Sequence, residues 1–334
     1  MTRLRWGLIG ASTIAAQHMI GAIRANGGEV TAVMSASANR AATFAAEHAI
    51  ACAGASLDDL LGSNDIDAVY ISTTNELHRD QALSAASAGK HVLCEKPIAL
   101  SVAECRTLIA ARDRTGVKIG EAFMVRTHPQ WLRARELAHS GEIGELRAIL
   151  GAFSYFNRDA ANIRNILDFG GGAIMDIGCY PIQISRFLFG REPETASALI
   201  DRDPHMHTDR LSSVVLGFPS GQSVFTCSTQ LVPYQRVQIL GTKGRIEIEV
   251  PFNPAPDRKT RLFVDNGADL WGSGMRVEEF QACDQYTIQG DVFSQAVRGL
   301  ADVPTPLEDS IANMAAIEAV FESGRTGRVV RVAS

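Results

Sequence analysis

A short apolar run over 6–9 stops at Gly10 and gives way to a helical pattern, and this exchange of strand for helix recurs until about residue 122. The predicted strands are 6–9, 30–34, 68–71, 91–94 and 118–121. Alanine-rich amphipathic stretches lie between them, over 14–25, 40–48 and 77–88. Strands separated by helices of this length run parallel, because a parallel pair needs a crossover connection. The first part of the chain is therefore predicted to be a doubly wound α/β sheet of the Rossmann type.

Past Arg126 the pattern changes. A helix is predicted over 128–139, then alternating segments over 146–153, 213–218, 223–228, 236–240 and 245–250. Turn chemistry such as Pro219-Ser220-Gly221 and Gly241-Thr242-Lys243-Gly244 separates them. Alternation with short turns predicts a largely antiparallel sheet with one open face, in an α+β domain. A late helix over 310–323 and a short strand over 329–332 close the chain. The expected domains are 1–122 and 123–334.

Composition narrows the function classes. A net charge of −5 without a Lys/Arg cluster argues against a nucleic-acid surface. No apolar run reaches the roughly 18 residues of a membrane span. The N-terminus passes straight into the first strand, so no signal peptide is expected. The 6 cysteines are scattered, without metal-like or disulfide-framework spacing. A cytoplasmic protein with reduced thiols and no metal is expected.

The loop Gly10-Ala11-Ser12-Thr13-Ile14-Ala15 joins the first strand to a helix. Such a turn needs a glycine where it tightens and small residues where backbone meets pyrophosphate, with the helix N-terminus facing the anion. Ser12 stands where a second glycine is usual. NAD sites place an acid at the end of the second strand for the ribose hydroxyl. This strand instead runs out into Met34-Ser35-Ala36-Ser37-Ala38-Asn39-Arg40. Two hydroxyls and a guanidinium suit a 2′-phosphate, so NADP is the expected cofactor.

Two further strand ends are polar: Ser72-Thr73-Thr74-Asn75-Glu76-Leu77-His78, and Cys94-Glu95-Lys96-Pro97. Together with the Gly10 loop, these motifs resemble the glucose-fructose oxidoreductase/inositol dehydrogenase/rhizopine catabolism (Gfo/Idh/MocA) family, and Glu95-Lys96-Pro97 carries most of the likeness. Phe123-Met124-Val125-Arg126-Thr127-His128-Pro129, Asn162-Ile163-Arg164 and the stretch from Gly170 to Tyr180 extend it along the chain. The N-terminal third is similar to the 1,5-anhydro-D-fructose reductase branch. The second domain is similar to NADP-dependent xylose dehydrogenases and dimeric dihydrodiol dehydrogenases.

The resemblance implies that Lys96 is catalytic, with Glu95 beside the cofactor, a cis Lys96-Pro97 bond, and Thr73, Thr74, Asn75 and His78 lining the cofactor pocket. It also implies that Asp176 and Tyr180 complete the catalytic set. Four residues apart in a helical segment, these two share a face, although Pro181 is expected to kink or restart the helix. A tyrosine near a lysine charge can exchange the carbinol proton while hydride leaves carbon. Arg126, His128 and Arg164 are candidate substrate or cofactor contacts. A sugar-like small molecule is the expected substrate, and a homo-oligomer (dimer or tetramer) through the second sheet is expected. Two alternatives stand beside this reading: a trans-dihydrodiol dehydrogenase, and a non-catalytic NADP-sensing regulator.

Overall fold

A computed structural model describes residues 3–333. They divide into two compact units. One is the chain up to Thr127 together with Asp284–Ile311; the other is His128–Cys283 together with the chain from Ala312 onward.

In the first unit, β1 (Arg5–Ile9), β2 (Glu29–Met34), β3 (Cys52–Gly54), β4 (Ala68–Ile71), β5 (His91–Glu95) and β6 (Ile119–Ala122) form one sheet. Its order is β3-β2-β1-β4-β5-β6, with every neighbouring pair parallel. The order reverses between β1 and β4. Sheets of this kind bind ligands outside the carboxyl ends of the strands at that switch point. β4 is buried at every position, so helices cover both sheet faces there, as a parallel sheet requires.

A π-helical turn, Ala15–Met19, leads into α1 (Ile20–Ala25). It is followed in the chain by α2 (Ala38–Glu47), α3 (Leu57–Gly62), α4 (Asn75–Ser87) and α5 (Val102–Thr115). Serine side chains start three of these helices, Ser37, Ser56 and Ser101, each accepting an otherwise unpaired first-turn amide.

The second unit begins with α6 (Pro129–His139) and the long strand β7 (Leu146–Phe156). A second π-helical turn, Ile174–Gly178, runs directly into α7 (Cys179–Phe189). Pro181 thus lies inside a continuous helical stretch, three residues past the end of the π-helical turn, and the helix does not restart there. Then come β8 (Thr195–Arg202), β9 (Asp209–Phe218), β10 (Gly221–Ser228), β11 (Gln230–Gly241), β12 (Arg245–Ile248), β13 (Thr260–Asp265) and β14 (Met275–Phe280).

After α8 (Gln285–Val297) and α9 (Leu307–Thr326), β15 (Val330–Arg331) closes a 9-stranded sheet of order β14-β13-β12-β11-β7-β10-β9-β8-β15. As expected it is largely antiparallel, with β7 and β10 as the parallel exception. On its open face Leu150, Val224 and Val215 lie side by side in register, each more than a third exposed.

The segment carrying α8, which the sequence reading assigned to the second domain, packs in the first unit. The Phe293 ring lies 5.8 Å from Trp6 of β1, and the Glu121 amide donates to Thr305 O at 3.1 Å. Gly120 makes room for it, since a Cβ there would meet Val303 at 2.8 Å.

Candidate active site

At the end of β1, Gly10 turns the chain with φ +112°, and a Cβ would come 2.9 Å from Ser72 O. Only glycine lets β1 and β4 approach this closely. Ser12 Oγ shares a hydrogen bond with Ser72 Oγ at 2.7 Å and accepts the Ala15 amide at 3.1 Å. The departure from a second glycine thus has a local purpose: the hydroxyl caps the helix and ties the loop to β4. Ala11, Thr13 and Ile14 complete the turn at a helix N-terminus, the positive end of its dipole.

Past the end of β2, Arg40 Nε donates to Ser35 Oγ at 2.8 Å, and Ser37 Oγ accepts the Arg40 amide. Arg40's terminal nitrogens make no hydrogen bond among the described residues. A guanidinium aimed by one hydroxyl, beside a second and without a neighbouring strand-end acid, fits a phosphate ester on the adenosine ribose.

The Lys96-Pro97 bond is cis. Three side chains hold this turn, one from a helix and two from different strands. His78, buried in α4, bonds Pro97 O through Nδ1 at 2.8 Å and Thr73 O through Nε2 at 3.3 Å. Burial lowers its pKa, keeping it neutral, and the shorter contact assigns the proton to Nδ1. Glu121 Oε1 accepts the Ile98 amide at 2.9 Å, and Glu95 Oε2 accepts the Lys96 amide at 3.4 Å. Tyr70, fully buried in β4, donates to Glu95 Oε1 at 2.6 Å. Burial and the Glu95 charge hold this phenol well above its usual pKa, so it stays a donor.

The other candidates in this unit have local partners. Thr73 Oγ1 donates to Gln81 and Thr74 Oγ1 to Glu76, each at 2.6 Å, while Asn75 opens α4. Arg126 forms an ion pair with Asp309 at 3.1 Å, both mostly buried. Its charge is therefore compensated within the first unit.

In the second unit, Asp176 lies in the π-helical turn and Tyr180 in the first turn of α7. Asp176 Oδ2 accepts the Tyr155 hydroxyl at 2.6 Å, and Arg164 Nε reaches the same carboxylate at 3.3 Å. The Asp176 charge raises the Arg164 pKa, and the Tyr180 phenol adds to it. Tyr180 is buried, its ring 5.9 Å from Phe153 and 5.7 Å from Phe252. Tyr155 escaped the sequence reading, although alternation along β7 places it on one face with Phe153. His128 caps α6, accepting the Gln130 amide at Nδ1, with Nε2 3.5 Å from Cys283 Sγ. A carboxylate held between a phenol and a guanidinium can accept a substrate hydroxyl, and the buried phenol four residues on can exchange a proton.

Residues 4–123 match an oxidoreductase family described as having an NAD-binding Rossmann fold, GFO_IDH_MocA, and residues 131–247 match the GFO/IDH/MocA C-terminal domain. The chain is 43% identical to 1,5-anhydro-D-fructose reductase of Ensifer adhaerens over 98% of each protein. It is 33% identical to D-xylose 1-dehydrogenase (NADP(+)) 2 of Haloferax volcanii, over 98% of this chain and 100% of that one. Among solved structures it resembles KijD10, a 3-ketoreductase from Actinomadura kijaniata in complex with NADP and TDP-benzene. That likeness has a TM-score of 0.89 at 26% identity, over 96% of this chain and 98% of the other. Among the described residues, no helix is long and apolar enough to cross a membrane.

Proposed function

This chain belongs to the GFO/IDH/MocA family of sugar-related NAD(P)-dependent oxidoreductases, and we propose that it uses NADP(H) to interconvert a carbinol and a carbonyl on a pyranose or related keto-sugar. The observation that carries this reading is the Tyr155–Asp176–Arg164 cluster. Charged and hydroxyl groups gathered at one carboxylate suit a substrate with several hydroxyls, and face a desolvation cost against an apolar ring.

The Gly10–Ile14 turn and the Ser35, Ser37 and Arg40 group hold the dinucleotide, which when bound supplies or accepts the hydride. Tyr180 takes the carbinol proton in oxidation and returns it in reduction. Lys96, directly after β5, is the charged group assigned to the same acid–base exchange. Asp176 accepts a hydrogen bond from a substrate hydroxyl, while Tyr155 and Arg164 fix its direction. His78 and Glu121 hold the turn that presents Lys96, and Tyr70 holds Glu95 beside it.

The aromatic rings around Tyr180 favour a second reading, a trans-dihydrodiol substrate. The test is kcat/KM with NADP+ for D-xylose, D-glucose and a trans-dihydrodiol, and with NADPH for 1,5-anhydro-D-fructose. Turnover of a sugar supports the proposal. Efficient turnover of the dihydrodiol alone overturns it.

The exposed row Leu150–Val224–Val215 further supports assembly through the open sheet face, since identical apolar faces bury one another in a two-fold pair. A monomeric mass by sedimentation at micromolar concentration overturns that assignment.

A further inference from the structure

Asp209 opens β9 and is buried against the start of the helical segment that carries Asp176 and Tyr180. Its Oδ2 accepts the Ile174 amide at 2.7 Å and lies 3.3 Å from the Ser212 hydroxyl. Gly172 makes this approach possible. Its φ is +114°, and a Cβ there would come 1.9 Å from Asp209 Oδ1. From the other side the Gly172 amide donates to Arg164 O at 2.9 Å, and a Cβ on Gly171 would come 2.6 Å from that oxygen. One glycine turn therefore joins three things: the backbone of Arg164, the carboxylate of Asp209, and the helix start two residues before Asp176.

We propose that Asp209 is a positioning residue for the reaction, its carboxylate fixing the helix start that aims Asp176 and Tyr180. The proposal rests on the reading of those two as catalytic. Arg164 is tied to the same turn through its backbone and to Asp176 through its side chain. A shift of the turn therefore moves both ends of that ion pair.

The chemistry of the group supports a role beyond filling space. Burial pushes the Asp209 carboxyl up to about 6. An asparagine oxygen of the same shape would accept the same amide without the cost of a buried charge. What the ionised form adds is a shorter, stronger hydrogen bond to Ile174. The groups facing it are Arg202 of β8, which favours the charged form, with Tyr155 of β7, Cys227 of β10 and Ser212 of β9 itself.

The test compares Asp209→Asn and Asp209→Ala with the unmodified chain by two readouts. One is hydrogen exchange of the segment 172–178, with β1 as internal control. The other is kcat and KM on a substrate from the panel above. Asp209→Ala is expected to speed exchange of that segment at least ten-fold and to leave β1 unchanged. Asp209→Asn is expected to keep KM, to lower kcat about ten-fold at pH 8, to lose any inflection of kcat near pH 6, and to melt no lower than the unmodified chain at pH 8. Should Asp209→Ala fail to fold, Asp209→Asn decides. Unchanged exchange, or kcat within two-fold in Asp209→Asn, overturns the proposal. Tyr180→Phe run alongside separates the two claims: normal kcat there removes the catalytic reading itself, whereas a loss there with a normal Asp209→Asn removes only the role of Asp209.

Discussion

The Tyr155 hydroxyl, on β7, donates to Oδ2 of Asp176, in the turn ahead of α7, at 2.6 Å. Burial and the Asp176 charge push this phenol far above its usual pKa, so it remains protonated and cannot serve as a base. Two of the second unit's tyrosines thus stand in different settings. In the proposed reaction Tyr155 orients the carboxylate, and Tyr180 is left for proton exchange.

Tyr155→Phe is expected to lower kcat/KM about 10- to 100-fold. Losing a hydrogen bond to a charged group costs about 1.5–3 kcal/mol. NADP(H) affinity should be unchanged. Steady-state kinetics beside a fluorescence titration of NADPH check this, and equal loss in cofactor binding would contradict it.

Arg40→Ala is expected to weaken NADP(H) binding by about 1.5–3 kcal/mol, with NAD(H) binding nearly unaffected. Ser35 holds the Arg40 guanidinium at 2.8 Å, so Ser35→Ala should show a smaller effect of the same sign. Titration of both dinucleotides measures it. Tighter binding of NAD(H) than NADP(H) by the unmodified chain would remove the phosphate role.

Stability should fall on the acid side through His128. Burial depresses its pKa from 6.5 to about 4, so the folded state binds fewer protons than the unfolded one between those values. The stabilisation is full above pH 6.5 and is lost as pH falls toward 4, amounting to roughly 3 kcal/mol. Protonating Nδ1 also removes the acceptor that caps α6. Asparagine can cap the helix without titrating. Denaturant unfolding at pH 7.5 and 4.5 should therefore show a smaller drop for His128→Asn than for the unmodified chain.

The central parallel strands were legible because each is a continuous apolar run bounded by helical periodicity, and the switch-point ligand side followed from them. What escaped was either nonlocal or masked. The return of α8 to the first unit depends on contacts such as Phe293 with Trp6, which no local pattern announces. β14 carries Arg276, Glu278 and Glu279 on an exposed sheet edge, so it lacks a buried stripe. The π-helical turns read as ordinary helix, since their residues have helical propensity and only packing inserts the extra residue per turn.

Among the candidate residues, glycine spacing and the Glu95-Lys96-Pro97 turn stood out because few residue types meet their backbone demands. Tyr155 carried only the alternation of a strand. Asp209 carried no signal, because its partner is a backbone amide. Arg126 was legible as a polar residue after the last parallel strand, but not as the partner of Asp309, which lies far along the chain.

The most direct test of the account is the turnover number of Lys96→Met, Tyr180→Phe and the double variant, read at the nicotinamide absorbance. Each single change should lower kcat by on the order of 10²–10⁴, the weight of positioned acid–base catalysis, with NADPH binding retained. The double variant should lose less than the product of the two, because groups acting in one step are not additive. Near-normal kcat in Tyr180→Phe, or a double loss equal to the product, would contradict a single acid–base unit.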